Sequence, residues 1–153
     1  MDHGIKAAEL FLSGYNCSQS VAVAFHKEMG LTERQAAKLA SAFGGGMGRM
    51  REVCGAVSGM LLVLSQLYGY DTPGDDASKK VLYTHVQALA GQFREENGSI
   101  ICREILKNPP SDPCPTPRNE EFYRKRPCAR MVYNAAEILE QFIQEHPMVN
   151  ENE

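Results

Sequence analysis

The stretch of sequence that decides the fold class begins at residue 52, ends at residue 68 and reads Glu52-Val53-Cys54-Gly55-Ala56-Val57-Ser58-Gly59-Met60-Leu61-Leu62-Val63-Leu64-Ser65-Gln66-Leu67-Tyr68. Its apolar side chains leave little polar face, and this pattern predicts a helix that is buried on nearly all sides. A buried helix needs other elements around it that supply its packing partners. We therefore interpret this stretch as the central helix of the fold.

The sequence on either side of the central helix also has helical periodicity. Apolar residues recur at intervals of three and four, and capping residues and glycines mark the ends of each run. The helices predicted in this way cover residues 5–12, 16–30, 32–43, 75–97, 99–106 and 127–146. The first of them is expected to bury Ile5, Ala8 and Leu12. No alternating pattern of convincing length indicates a strand.

Prolines interrupt this helical pattern at one place only. Five of the eight prolines lie within residues 108–117, which excludes regular helix there. No internal repeat or linker divides the chain. We predict an all-α protein, with residues 1–153 forming a single-domain helical bundle of about six to seven helices and residues 108–118 forming a proline-rich internal loop.

The composition excludes several classes of protein. The chain has 153 residues, with 16 basic and 19 acidic side chains and a net charge of −3, so a nucleic-acid partner is not expected. Its longest apolar stretch is shorter than the ~18 uninterrupted apolar residues of a membrane span, so it is not expected to be membrane-embedded. The first ten residues lack the pattern of a signal peptide. We expect a cytoplasmic protein.

Cysteine is the residue type that points to chemistry. Of the five cysteines, four are predicted to lie in the first turn of a helix and on its apolar side: Cys17, Cys54, Cys102 and Cys128. Free N–H groups and a partial positive charge at a helix start favour the thiolate, which is both the nucleophile and the metal ligand. These four are the candidate catalytic residues. Cys114 lies between prolines and is interpreted as an incidental thiol.

Three functions are compatible with these cysteines. The leading hypothesis is a thiol-based redox protein, an oxidoreductase or electron-transfer protein, that cycles between thiol and disulfide with a redox partner protein or a small-molecule oxidant or reductant. In this hypothesis the four cysteines converge near one end of the bundle. The second is a metal site, with zinc or an iron–sulfur cluster held by Cys17, Cys54, Cys102 and Cys128. The third is a non-catalytic helical module that binds a partner and only packs its cysteines. No Cys-x-x-Cys pair is present, so any site must be assembled from separate helices.

A glycine-rich segment, Gly44-Gly45-Gly46-Met47-Gly48-Arg49-Met50-Arg51, precedes Cys54. It differs from a phosphate-binding P-loop, because it lacks Lys followed by Ser or Thr and follows a helix rather than a strand. Glycines let the backbone approach closely, so its N–H groups can surround a sulfur anion or a small ligand. The predicted cofactor-binding residues are Gly45, Gly46, Arg49 and Gly55, and the alternative is a flexible link between helices. Cys54 is predicted to be the most activated thiol, because this loop and its arginines adjoin it.

Three motifs give the chain a family resemblance: Asn16-Cys17-Ser18-Gln19-Ser20-Val21, Phe43-Gly44-Gly45-Gly46-Met47-Gly48 and Cys54-Gly55-Ala56-Val57-Ser58-Gly59. Together with the later Cys102 and Cys128, they resemble the C_GCAxxG_C_C family of redox-active proteins. The resemblance implies a small bacterial or archaeal protein with four characteristic cysteines and a redox role. It also implies a link to a transporter, because many relatives are encoded near transporters. Cys114 is a departure from the family pattern.

Overall fold

The computed structural model of the chain describes residues 2–148 and is helical almost throughout that range. Its elements are α1 (His3–Leu12), α2 (Cys17–Ala24), α3 (Glu33–Ala40), a 3₁₀ turn (Ser41–Phe43), α4 (Gly44–Met47), α5 (Gly55–Tyr68), α6 (Asp76–Asn97), α7 (Cys102–Ile105), α8 (Glu120–Lys125) and α9 (Cys128–Glu145). The all-α prediction is confirmed. Two short segments, α4 and α8, add to the seven helices predicted from periodicity.

Helix α5 is the central helix, as its sequence predicts. Ala56, Met60, Val63 and Leu64 are fully buried, and α5 packs against α2, α6 and α9. The approach to α2 is close because Gly59 has no side chain. A Cβ atom at this position would lie 2.6 Å from the backbone oxygen of Ser18 on α2. The close contact between α2 and α5 therefore requires a residue without a side chain at position 59.

Helix α1 packs against α9 and α2 with a face different from the one predicted. The buried residues are His3, Gly4, Ala7 and Phe11, whereas Ile5 is 51% and Leu12 is 55% exposed. The reason is an interior polar contact. The His3 ring stacks on Phe25, and its two nitrogens contact carboxylates of Glu28 and Glu140. A buried histidine needs such partners, and this arrangement sets the rotation of α1.

Several predicted boundaries also shift, including the start of α7, which lies at Cys102 instead of residue 99. Helix α2 ends at Ala24, and turns rather than helix continue to Gly30. Helix α5 begins at Gly55 instead of residue 52, because the preceding residues pair with another segment: Val53 forms an isolated antiparallel bridge with Ile101. The proline-rich residues 108–118 contain no helix, as predicted. Within residues 2–148, no helix combines the length and apolarity that a membrane span requires.

Candidate functional site

The structure brings four cysteines to one cavity, which has a volume of about 230 Å³ and lies where α2, α5, α7 and α9 begin. Cys17, Cys102 and Cys128 are each the first residue of a helix, as predicted, and Cys54 is the residue just before α5. Cys17 is half-buried and the other three are buried. Cys114 is exposed on the proline-rich loop and does not line the cavity.

The bridge between Val53 and Ile101 positions two of these cysteines. Next to it, the Cys54 N–H donates to the carbonyl of Ile100 at 2.7 Å, and the Cys102 N–H donates to the carbonyl of Glu52 at 2.6 Å. These bonds join the start of α5 to the start of α7, far apart in sequence. They leave neither backbone N–H free to bind a ligand, but they bring both side chains into the cavity lining.

The glycine-rich segment forms the wall of the cavity that faces these cysteines. Five consecutive residues, from Gly45 to Arg49, have φ between 60° and 68°, so this segment is a left-handed turn. Only glycine adopts this conformation without cost, and a side chain costs about 1–2 kcal/mol per residue. Met47 and Arg49 therefore hold strain in the wall of the site, which is a common feature of functional loops.

All four predicted cofactor-binding residues line the cavity, and their contacts differ from one residue to the next. Gly45 lies beside Cys17, and its N–H helps to lower the pKa of that thiol. Gly46 and Gly55 make room: a Cβ atom would lie 2.7 Å from the Cβ of Cys102 at the first position and 3.0 Å from that of Cys17 at the second. Arg49 is held by the proline-rich loop, donating to the Asp112 carbonyl and the Thr116 hydroxyl. Cofactor binding by these residues stays a prediction.

Cys17 has the electrostatic surroundings of a reactive thiol. A hydrogen bond from the Cys128 thiol is the largest cause that lowers the pKa of Cys17, to about 7. Burial opposes this shift, whereas the Arg118 charge and the N–H groups of Cys17 and Gly45 support it. A thiolate at the first residue of α2 also gains from the positive end of the helix. Cys17 is therefore substantially ionised near neutral pH.

The other three cavity thiols are held in the protonated state. Burial is the largest cause that raises the pKa of Cys54, and the negative charge on Cys17 adds to it. The hydrogen bond to Cys17 raises the pKa of Cys128, since its proton is the one shared. Burial also raises the pKa of Cys102. The prediction that Cys54 is the most activated thiol is wrong, because its backbone N–H and its side chain are both enclosed.

Arginines surround the thiols, and sequence reasoning identified only some of them. Buried Arg51 lies against Cys102, with 3.7 Å between Nη1 and Sγ. Arg49 was expected to add charge near Cys54 but reaches the proline-rich loop instead. Arg118 and Arg126 also line the cavity and were missed. The available signal was their position, since Arg126 comes two residues before Cys128 and Arg118 ends the proline-rich loop.

The spacing of the sulfurs bears on the metal hypothesis. A tetrahedral zinc site holds its sulfurs ~2.3 Å from the ion, and hence in mutual contact. Among residues 2–148, no three cysteine sulfurs lie within 4.8 Å of one another, and the one group of potential ligands that does is Asp2, Glu137 and Glu140. The cysteine geometry does not match a mononuclear zinc site. An iron–sulfur cluster places iron and sulfide atoms between its ligands, so this spacing does not conflict with it.

Replacement of Gly46 by alanine is expected to destabilise the cavity wall. The new Cβ atom would be 2.8 Å from the backbone nitrogen of Glu52 and 2.7 Å from the Cβ of Cys102. Gly48→Ala is the matched control, because Gly48 has the same left-handed backbone and its nearest atom would be 3.8 Å away. We expect Gly46→Ala to lower the free energy of unfolding by about 1–3 kcal/mol more than the control. Equal losses in urea denaturation would contradict this account of the wall.

Comparison with known proteins agrees with the sequence motifs. A family model described as "Putative redox-active protein (C_GCAxxG_C_C)" matches residues 15–142, which is most of the chain. The matched range contains all four cavity cysteines and the glycine-rich segment. No curated protein and no solved structure matches the chain. On the strength of this match, the chain belongs to the C_GCAxxG_C_C family.

Proposed function

We propose that this protein is a thiol–disulfide redox protein in which Cys17 attacks and Cys128 resolves. The observation that carries the proposal is that Cys17 and Cys128 line one accessible cavity, where hydrogen bonding between the two thiols lowers the pKa of Cys17 and raises that of Cys128. Cys17 is also the least buried of the four cavity cysteines, so an incoming sulfur meets it first.

The exchange proceeds in two steps that conserve electrons. The Cys17 thiolate attacks one sulfur of a partner's disulfide, which forms a mixed disulfide and releases one partner thiolate. Cys128 then gives up its proton, which passes to a released thiolate, and attacks the Cys17 sulfur. A Cys17–Cys128 disulfide forms and the second partner thiolate leaves. Two electrons have passed to the partner. A dithiol, or two monothiols, then reduces the Cys17–Cys128 disulfide by the same kind of exchange and is itself oxidised to a disulfide.

Two further parts of the site fit this scheme. Cys54 and Cys102 form a second pair of thiols in the same cavity, and burial raises the pKa of both. The partner is a redox protein or a small-molecule oxidant or reductant that reaches the cavity. We place the activity in the cytoplasm, because a reducing compartment returns exposed thiols to the reduced state between cycles.

A redox titration tests the proposed function. The Cys114→Ser variant, which removes the exposed thiol outside the cavity, is equilibrated in buffers with increasing ratios of oxidised to reduced glutathione. Free thiols are then blocked and counted by mass spectrometry. We expect two thiols per chain to disappear in one transition and to return when the ratio is reversed. If the four cavity thiols never form a reversible bond, the proposal is wrong.

The four thiols around one cavity also support a second candidate, an iron–sulfur cluster. Four cysteine thiolates are the usual ligands of such clusters, and the four cysteines here line one cavity. Iron and acid-labile sulfide measured on anaerobically purified and reconstituted protein decide this candidate. Stoichiometric iron with a visible absorption band supports it. Protein that stays colourless and free of iron after reconstitution contradicts it.

A further inference from the structure

The cavity that contains the four cysteines also contains positive charge that no carboxylate neutralises. Arg51, Arg118 and Arg126 line it, and within residues 2–148 none of the three forms an ion pair. Among the described residues that line the cavity, none is acidic. The chain as a whole has a net charge of −3, so this local excess of positive charge is opposite in sign to the rest of the molecule.

Each guanidinium is held in place with N–H groups to spare. Arg118 donates to the carbonyls of Phe11 and Tyr15, and its central carbon lies 4.5 Å from the Phe11 ring centre and 4.7 Å from that of Phe122. The central carbon of the Arg126 guanidinium lies 5.3 Å from the centre of the same Phe122 ring. Arginine has five N–H donors, so two backbone bonds leave three of those of Arg118 for a ligand.

The guanidinium groups affect one another. Burial is the largest cause that lowers the pKa of Arg126, and the charge on Arg51 is the next. A mutually repelling set of cations is costly to hold together unless something of opposite charge shares the space. The Cys17 thiolate supplies one negative charge, which leaves an excess that a bound anion can neutralise.

The remaining walls of the cavity are apolar. Phe11, Phe122, Ile105, Leu106 and Met131 line it together with the arginines and thiols. A purely inorganic anion would leave this apolar surface without a partner. A compound with an organic body and an acidic group would use both kinds of wall, as ligand sites in general combine apolar walls with a few polar groups that fix orientation.

We propose that the substrate of this site is a small organic disulfide that carries a carboxylate or a comparable acidic group, bound by Arg118 and Arg126 beside Cys17. The proposal rests on the thiol–disulfide function proposed above and adds the substrate class. The acidic group lies against the guanidinium groups and the organic body against Phe11 and Phe122. This orientation presents the disulfide bond to the Cys17 thiolate. The attack forms the mixed disulfide and releases the substrate's other half as a thiolate.

The test compares two aromatic disulfide reagents of different charge, and a model thiol corrects for their different intrinsic reactivity. Dithiobis(nitrobenzoate) is an aromatic disulfide with two carboxylates, and dithiodipyridine is an uncharged aromatic disulfide. The quantity measured is the ratio of their rate constants at Cys17 in the Cys114→Ser background, divided by the same ratio for 2-mercaptoethanol. Because both reagents meet the same thiolate, this ratio does not depend on the pKa of Cys17. We expect this normalised ratio to be about ten at low salt and to fall as salt is added.

Substitution of Arg118 and Arg126 tests whether these residues cause the preference for the negatively charged reagent. Arg118→Gln combined with Arg126→Gln should lower the ratio about tenfold, as expected for loss of local electrostatic steering. Arg124→Gln, an exposed neighbour outside the cavity lining, should leave it unchanged. The salt dependence of the unsubstituted site gives the same answer without any variant at these two positions. Folding of each variant is checked by circular dichroism.

The outcomes separate the two proposals. A ratio of one, or a ratio that the two arginine substitutions leave unchanged, overturns the anionic substrate and leaves thiol exchange standing. Slow reaction with both reagents, at the rate of the Cys17→Ser variant, overturns the exchange function itself. A raised ratio that the arginine substitutions and salt both reduce supports the assignment of the substrate class.

Discussion

Cys17→Ser in the Cys114→Ser background is expected to slow the reaction with a neutral disulfide at pH 7 by about 100-fold or more. The reason is the contrast between one activated thiol and three suppressed ones. The pKa of Cys17 is lowered to about 7, chiefly by the hydrogen bond from Cys128. Burial raises the pKa values of Cys54 and Cys102, and the hydrogen bond to Cys17, followed by burial, raises that of Cys128. Removing Cys17 takes its hydrogen bond and its charge away from the other cavity thiols, but burial still raises the pKa of each of them, and all three are less accessible than Cys17.

Magnitudes show why the suppressed thiols do not compensate. At pH 7, a thiol with a pKa of about 7 is half ionised, and an ordinary one of ~8.5 is ionised to about 3%. Each further unit of pKa lowers the thiolate fraction about tenfold, whereas the nucleophilicity of the thiolate rises only about threefold. A buried thiol thus loses reactivity with every unit by which its pKa rises. The rate at Cys17 should increase with pH up to about 7 and level off above it, since only the thiolate attacks.

Cys128→Ser is the matched control for this prediction. A serine hydroxyl still donates a hydrogen bond to the Cys17 sulfur, so the first attack should remain fast. The second step should fail, because serine has no sulfur to form the disulfide. The mixed disulfide should accumulate, with one leaving group released per chain instead of two. If Cys17→Ser reacts as fast as its background, the assignment of Cys17 as the attacking thiol is wrong.

The second large effect concerns stability. Gly59→Ala is expected to lower the free energy of unfolding by about 1–3 kcal/mol, the usual range for overpacking in a core. Its Cβ atom would be 2.6 Å from the Ser18 oxygen and 3.2 Å from the Cβ of Val21. The first contact is with backbone, so α5 and α2 must move apart to relieve it. The start of α2 carries Cys17, so the pKa of that thiol should change as well.

Gly91→Ala controls for the effect of the substitution on the helix itself. Gly91 also lies within a helix, α6, and a Cβ atom there would have no atom within 4 Å. Alanine is the better helix former by about 1 kcal/mol, so this variant should be slightly more stable than the parent. Urea denaturation of both variants measures the contrast. Two variants that shift in the same direction would contradict the close α2–α5 contact.

Local sequence pattern was sufficient to predict the parts of the fold that depend on local structure. The apolar run of α5, the capping residues Asn16 and Thr32, and the prolines after residue 108 act over a few residues, and the structure has the corresponding helices and loop. The placement of Cys17, Cys102 and Cys128 at helix starts follows from the same signals. Periodicity does not record which helices meet. Periodicity predicted only that the four cysteines face inward. Their expected convergence near one end of the bundle came from the functional hypothesis, and the cavity that they share depends on tertiary packing.

The features that sequence reasoning missed depend on contacts between distant segments. Helix α5 begins later than predicted because Val53 forms a bridge with Ile101, and no local sequence pattern indicates this bridge. The rotation of α1 follows from the contacts of His3 with Glu28 and Glu140. The activation of Cys17 rather than Cys54 depends on the Cys128 thiol, from the other end of the chain. The pKa of each thiol depends on groups that come together only in the folded protein, so the sequence alone could not rank the thiols.

Identification of the first disulfide to form tests the central claim most directly. The Cys114→Ser variant is treated with limiting oxidant, blocked at its remaining thiols, digested without reduction and analysed by mass spectrometry. The account predicts that a peptide pair linking Cys17 to Cys128 appears first, and that it disappears on treatment with a dithiol. A first bond between Cys54 and Cys102, or between two chains, would contradict the assignment of Cys17 and Cys128 as the reacting pair.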